Sequence, residues 1–448
     1  MRRGRGVRAV RNSTLRLTLR GLVIIAILIA AGHGPAAAAY TATMPVADLA
    51  PGMKGYGLTV FSGVEPEPFD VEVLAVSPRG ASPGSMILIR ASGPNMEAAG
   101  GVAEGMSGSP VYIDDKLIGA IAYVFPGSDH FVAGVTPIAD MLRMLEYSDS
   151  RAASAAGWFG SADPFGQPGA LDSAPRAAGA TMYVSGASPR ALESLSAAVA
   201  PRGIKVMPAS ASLGGAARAA VAPKYRLAPG AMVAMQLATG DIEVSVYGSV
   251  TYVDGGRFVA FGHPVLSSGA VDLAAAGAIV HTVVRSDDVP FKVASSLAGV
   301  GAFTQDRLYG AAGRLGAQAR MIPVTIAVSG GAAGAGTQLE SMISNSELLV
   351  ADLFSTVAMG GVDHGLDRLG QGTATVDYVV EIEGHDALRR SDTVWSDSDI
   401  SYAAVAAARR ALGLIVGNAV EQAQVKSVSL NVDVEVGHRG SLVDLLGL

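Results

Sequence analysis

The residues best placed to do chemistry lie in Gly105-Met106-Ser107-Gly108-Ser109-Pro110, at the centre of GGVAEGMSGSPVYIDDKLIGAIAYVF, residues 100–125. Glycines on both sides of Ser107 permit positive φ angles, so successive backbone N–H groups can converge on one point. Such convergence is what an oxyanion hole requires, and the amides of Gly105 and Ser107 are the two that would form it. The turn runs directly into strand-like residues 110–113, an Asp114-Asp115 turn and a second strand at 117–125. A hairpin in this place excludes the elbow of the α/β-hydrolases, where the serine leads into a helix. The hexapeptide alone leaves two readings open, a nucleophile turn and a turn without chemistry, because a chain with 56 glycines holds many such turns.

The stretch resembles the nucleophile segment of the SpoIVB family of serine peptidases, in which a GMSGSP turn is likewise followed by a hairpin. The likeness extends upstream through residues 69–74 and 84–89, and downstream to GSVTYVDGGRFVAFGH at 248–263, which is similar to the family's histidine segment. The resemblance implies a mainly β, trypsin-like double-barrel peptidase core with Ser107 as nucleophile and His263 as general base. In that family the histidine segment comes first, whereas here Ser107 precedes His263, so the halves read as transposed. A triad is defined by geometry and not by chain order. The family's acidic position falls on residues 91–95, ASGPN, which hold no carboxylate. Asp306, 43 residues after His263 and in the same half, is the preferred third member, ahead of Asp272, Asp287 and Asp288. A structural salt bridge to Arg307 or Arg314 is the competing role for Asp306, and a Ser–His dyad oriented by a backbone carbonyl is the competing site.

The elements that must position these residues follow from patterning. Residues 1–39 carry seven arginines and no acid, then an apolar run at 21–31 and Pro35 followed by four alanines, which is the make-up of a secretory signal peptide. An apolar run of about 11 residues is short of the ~20 that a spanning helix needs. The remaining 409 residues hold 26 basic against 39 acidic side chains, a balance that argues against nucleic acid as a partner. With no cysteine there is neither thiol catalysis nor a disulfide framework, and the expected location is periplasmic or extracellular, membrane-associated if the signal is retained.

Residues 40–147 read as a serine-bearing β half closed by a helix at 137–146, and 181–336 as a histidine-bearing β half with strands at 231–237, 244–253, 257–261 and 324–328. Residues 148–180, poor in aliphatics, read as a linker, and 337–448 as an added α+β module with helices at 346–359 and 400–420. The seven histidines show no helical metal spacing, so no metal or other cofactor is expected, and His130 is the rival base. The expected function is an exported serine endopeptidase acting on protein or peptide. Its alternative is an inactive envelope scaffold on the same fold.

Overall fold

The computed structural model describes residues 41–77, 85–125, 127–148, 176–177, 181–209, 220–221, 224–330, 336–421 and 423–436. The expected signal peptide and most of the expected linker lie outside them. Ala42–Leu448 forms one compact unit, and its two sheets account for the mainly β character that the sequence implies.

Short apolar runs broken by glycine and proline build the first sheet, from β1 (Lys54–Thr59), β2 (Glu67–Ser77), β3 (Met86–Ser92), β4 (Pro110–Ile113), β5 (Lys116–Val124), β6 (Val132–Pro137) and β7 (Arg176–Ala177). In β3 the residues Ile87, Ile89 and Ala91 point inward and are fully buried, as a period of two dictates. The order is β4-β1-β2-β3-β6-β5-β7, and an additional β4–β5 pairing closes six strands into a barrel. Its interior is filled by Phe69, Val71, Val73, Ile87, Ile89, Val111, Ile121 and Val135. Between β3 and β4 runs a short helix, α1 (Pro94–Ala99), and after β6 come α2 (Ile138–Leu142) and a 3-10 turn at Arg143–Glu146.

The second sheet comprises β8 (Thr181–Ser185), β9 (Lys205–Pro208), β10 (Met232–Gly240), β11 (Glu243–Asp254), β12 (Arg257–Ala260), β13 (Gly269–Val284), β14 (Phe291–Arg307), β15 (Gly310–Leu315), β16 (Met321–Ser329), β17 (Thr337–Ser344), β18 (Gly372–Ile382), β19 (Leu388–Ser396) and β20 (Val425–Val436). Within it the β10–β11 pairing closes β10-β13-β14-β15-β12-β11 into a second six-stranded ring. The pair of closed rings is the double-barrel core that the family resemblance implies. Tyr112, Leu117 and Ile138 of the first barrel pack against Tyr252, Val259 and Ala312 of the second.

The strands of 337–448 continue the second sheet: β17 pairs with β10 and β16, and β20 runs parallel to β16. Their inner faces, among them Val428, Leu430, Val432 and Val434, are covered by α4 (Val350–Leu366) and α5 (Ile400–Val416). A third helix, α3 (Pro189–Val199), packs beside α4, and Arg190 on it forms ion pairs with Asp363 and Asp399. Asp399 also caps α5 by accepting the Tyr402 amide at 3.1 Å, the capping role its position before the helix suggests.

Candidate active site

The serine turn is shaped from both ends. Glu104 forms a bridge to β14, with its amide donating to Pro290 O at 2.8 Å and its carbonyl accepting the Lys292 amide at 3.1 Å. Gly105 and Gly108 both take φ +89°. At Gly108 a Cβ would lie 2.0 Å from Ser249 O and 2.5 Å from Phe261 N, so only glycine lets the turn approach β11 and the end of β12 this closely.

Backbone bonds then fix the loop. Met106 N donates to Ala103 O at 2.9 Å, Ser109 N to Met106 O at 2.9 Å and Gly108 N to Ile121 O at 2.7 Å. The Ser107 carbonyl accepts Ser249 N at 2.6 Å, and the Gly108 carbonyl accepts Thr251 Oγ1 at 2.8 Å. Among the described residues no acceptor meets the amides of Gly105 and Ser107, the two singled out above for an oxyanion. Among the described residues they are the free backbone donors of the turn.

His263 follows β12 through Phe261 and Gly262, at φ +69° and +73°. A non-glycine residue in the left-handed region is strained unless its surroundings hold it. Phe261 is fully buried with its ring 5.8 Å from that of Phe303, and the Gly262 carbonyl accepts Thr136 Oγ1 from β6 at 2.7 Å. The histidine loop is therefore anchored to both barrels. His263 Nδ1 lies 2.8 Å from the Pro264 carbonyl. A carbonyl can only accept, so Nδ1 carries the proton and Nε2 presents its lone pair. Burial pulls the His263 pKa down to about 4, partly offset by that carbonyl, and the ring is neutral at pH 7. Ser107 and His263 are both completely buried, and among the described residues neither Ser107 Oγ nor His263 Nε2 has a hydrogen-bond partner.

Asp306, also fully buried, accepts the amides of Val265 at 2.8 Å, Leu266 at 2.6 Å and Ser268 at 3.5 Å. Burial pushes its carboxyl up and these amides pull it back. It thus holds the loop that leaves His263, while the ring nitrogen bonds Pro264 O. Of its expected ion-pair partners, Arg307 donates to Gln305 Oε1 at 2.7 Å and stacks 3.7 Å over Tyr147, and Asp306 forms no ion pair among the described residues.

Two of the four rival residues are engaged elsewhere, and the other two face a surface cavity. Asp272 accepts the Arg320 amide at 3.0 Å, Asp288 lies 3.6 Å from Lys205, and His130 and Asp287 line an open surface cavity of about 520 Å³. No cluster of three metal-ligating side chains occurs among the described residues.

One group was not singled out in the sequence. Lys292, one residue into β14, is fully buried, and its Nζ donates to Thr59 Oγ1 at 2.8 Å. Ser109 Oγ donates to the same Thr59 oxygen at 2.9 Å and lies 3.2 Å from Ser249 Oγ, which reaches the Gly105 carbonyl at 3.3 Å. The only sequence signal was a lysine placed in the strand pattern Phe291-Lys292-Val293-Ala294.

Residues 36–142 match the family model of SpoIVB peptidase S55. The match spans β1–β6 and Ser107 and stops before His263. It supports a SpoIVB-like peptidase at the level of the family, and with it a protein substrate. No curated protein and no solved structure matches the chain. No helix of the described residues is long and apolar enough to cross a membrane.

Proposed function

We propose, from the premise that residues 36–142 match the SpoIVB peptidase S55 family, that the chain is an exported serine endopeptidase working through Ser107 and His263. The observation that carries this reading is a pairing of orphans: among the described residues the serine hydroxyl and the base nitrogen are buried polar atoms without hydrogen-bond partners, on two segments that bond to the same strand, β11. Buried polar groups are nearly always satisfied, and exceptions call for a role.

In the reaction, His263 Nε2 takes the proton of Ser107 Oγ as that oxygen bonds to the scissile carbonyl carbon. The carbonyl oxygen becomes negative and is met by the free amides of Gly105 and Ser107. The imidazolium returns its proton to the leaving amine, and water then hydrolyses the ester by the same steps in reverse. Pro264 O orients the ring, and Asp306 positions the loop that carries it. Catalytic hydrogen bonds are commonly loose before substrate binds, so the unmade Oγ–Nε2 bond fits a resting enzyme. Because Ser107 and His263 are both buried, the site must open to admit a peptide, which makes this the closed state of the enzyme.

A second reading, a scaffold without catalysis, draws on that same burial. A fluorophosphonate probe separates them. The account expects an adduct mapped by mass spectrometry to Ser107, formed far more slowly in His263→Ala. A folded wild type that takes up no adduct at Ser107 would overturn it.

A further inference from the structure

The buried amine of Lys292 is unused by the reaction above, although it sits beside the serine turn. A Cβ added at Gly105 would lie 3.2 Å from Lys292 Cδ. The groups packed around the amine are Thr59 from β1 and the Met232 sulfur at 3.8 Å from β10, while Gly105 lies against the aliphatic stem. Glu104, whose backbone brackets Lys292, turns its carboxylate to Thr181 Oγ1 at 2.9 Å and toward Lys205 at 3.6 Å. Tyr183 and Tyr247 share the apolar cluster around Met232, and burial pushes both hydroxyls up, so they remain protonated. Among the described residues no carboxylate pairs with Lys292.

We propose that Ser109 is a second nucleophile of this turn, activated by Lys292 through Thr59. The inference rests on the peptidase reading above and adds a serine–lysine centre to it. Three atoms in series form the path: Ser109 Oγ, 2.9 Å to Thr59 Oγ1, 2.8 Å to Lys292 Nζ. An ammonium can only donate to Thr59. Once neutral, the amine offers a lone pair, and the Thr59 hydroxyl can donate to it while accepting from Ser109. Desolvation lowers the Lys292 pKa to about 7, so both forms are populated near neutrality.

The step balances without any further reactant. Ser109 Oγ forms its bond to the carbonyl carbon as its proton passes to Thr59 Oγ1 and the Thr59 proton passes to Lys292 Nζ. The carbonyl π pair moves to oxygen. When that pair returns, the C–N bond breaks and the leaving amine takes the proton of Thr59 Oγ1, which Lys292 Nζ replaces. Water then cleaves the ester. The substrate class is that of the Ser107 site, a peptide carbonyl, because both serines belong to one turn and are equally buried.

The test is the fluorophosphonate adduct mapped in the Ser107→Ala chain between pH 5.5 and 8.5. The expected result is an adduct on Ser109 whose rate rises as pH passes through about 7. That rate falls at least tenfold in Thr59→Val and in Lys292→Met, and Thr59→Ser restores it. The Thr59 pair keeps the amine in place, so the test survives if Lys292→Met fails to fold. An adduct at Ser107 in the wild type with none at Ser109 in folded Ser107→Ala overturns the second centre and leaves the first standing. So does a Ser109 adduct that Thr59→Val leaves unchanged. An adduct at neither serine overturns both.

Discussion

The carbonyl of Ser107 accepts the amide of Ser249 at 2.6 Å, which ties the serine turn of the first barrel to strand β11 of the second. One residue on, Thr251 Oγ1 holds the Gly108 carbonyl, and Gly108 abuts Phe261 at the entrance to the histidine loop. The serine and the histidine are therefore set by one interface between barrels, and disturbing it should move both.

Gly108→Ala is the sharpest disturbance. Its Cβ would meet backbone atoms at 2.0 and 2.5 Å while the residue is forced to φ +89°. A destabilisation of about 3 kcal/mol or more is expected, measured by chemical denaturation. Gly105→Ala has the same φ, but its nearest neighbours, at 3.2 Å, are the side-chain atoms Lys292 Cδ and Met232 Cε, which can shift. It should cost only about 1–2 kcal/mol and still slow labelling of Ser107, because it distorts one of the two proposed oxyanion donors. Equal stability losses in the two variants would count against the interface.

Asp306→Asn tests positioning against direct catalysis. An amide retains one acceptor oxygen but sets an NH2 group against backbone donors, so about 2 kcal/mol of stability should be lost. Since His263 Nδ1 bonds Pro264 O, hydrolysis by the folded variant should fall less than about a hundredfold. A loss near the ~10⁴ seen when a triad aspartate is replaced, with stability unchanged, would make Asp306 the direct partner of the ring.

Stability should depend on pH in two windows. His263 has its pKa lowered from 6.5 to about 4, so between those values the unfolded chain binds the extra proton, and stability falls as pH drops from 6.5 to 4. Lys292 is lowered from 10.5 to about 7, so stability should rise from pH 7 toward 10.5. Each slope approaches ~1.4 kcal/mol per pH unit from its group. Lys292→Met should flatten the upper window alone, as read from denaturation midpoints at pH 7 and 9. A slope unchanged by the substitution would place a charged amine at that position throughout.

Much of this was legible in the sequence because local chemistry decided it. The serine turn and its hairpin, β4 and β5, declare themselves through glycine, proline and short continuous apolar runs, and β12 leads to His263 as its Arg257–Ala260 pattern suggests. What long-range packing decides was hidden. Strand β13 contains Ala274-Ala275-Ala276-Gly277, which gives no alternation, and a Cβ at Gly277 would lie 2.6 Å from the Tyr225 ring. The helix expected at 346–359 begins later and continues through Gly360 and Gly361 to Leu366. Glycine normally weakens a helix, but a Cβ at Gly361 would lie 2.9 Å from Ile326, so close packing on the sheet explains its presence. The partners of Asp306, the amides of Val265 and Leu266, are backbone groups that no side-chain pattern could announce.

The most direct test is hydrolysis of a denatured protein substrate at pH 6 by the wild type, Ser107→Ala and His263→Ala. At that pH His263, with its pKa near 4, is neutral, and Lys292, with its pKa near 7, is mostly protonated, so the Ser109 centre should be held to about a tenth of its full rate and the Ser107 centre should dominate. The account expects turnover by the wild type and a loss of about tenfold or more in both folded variants, the remainder being the share of the Ser109 centre. Equal turnover in all three chains would contradict it.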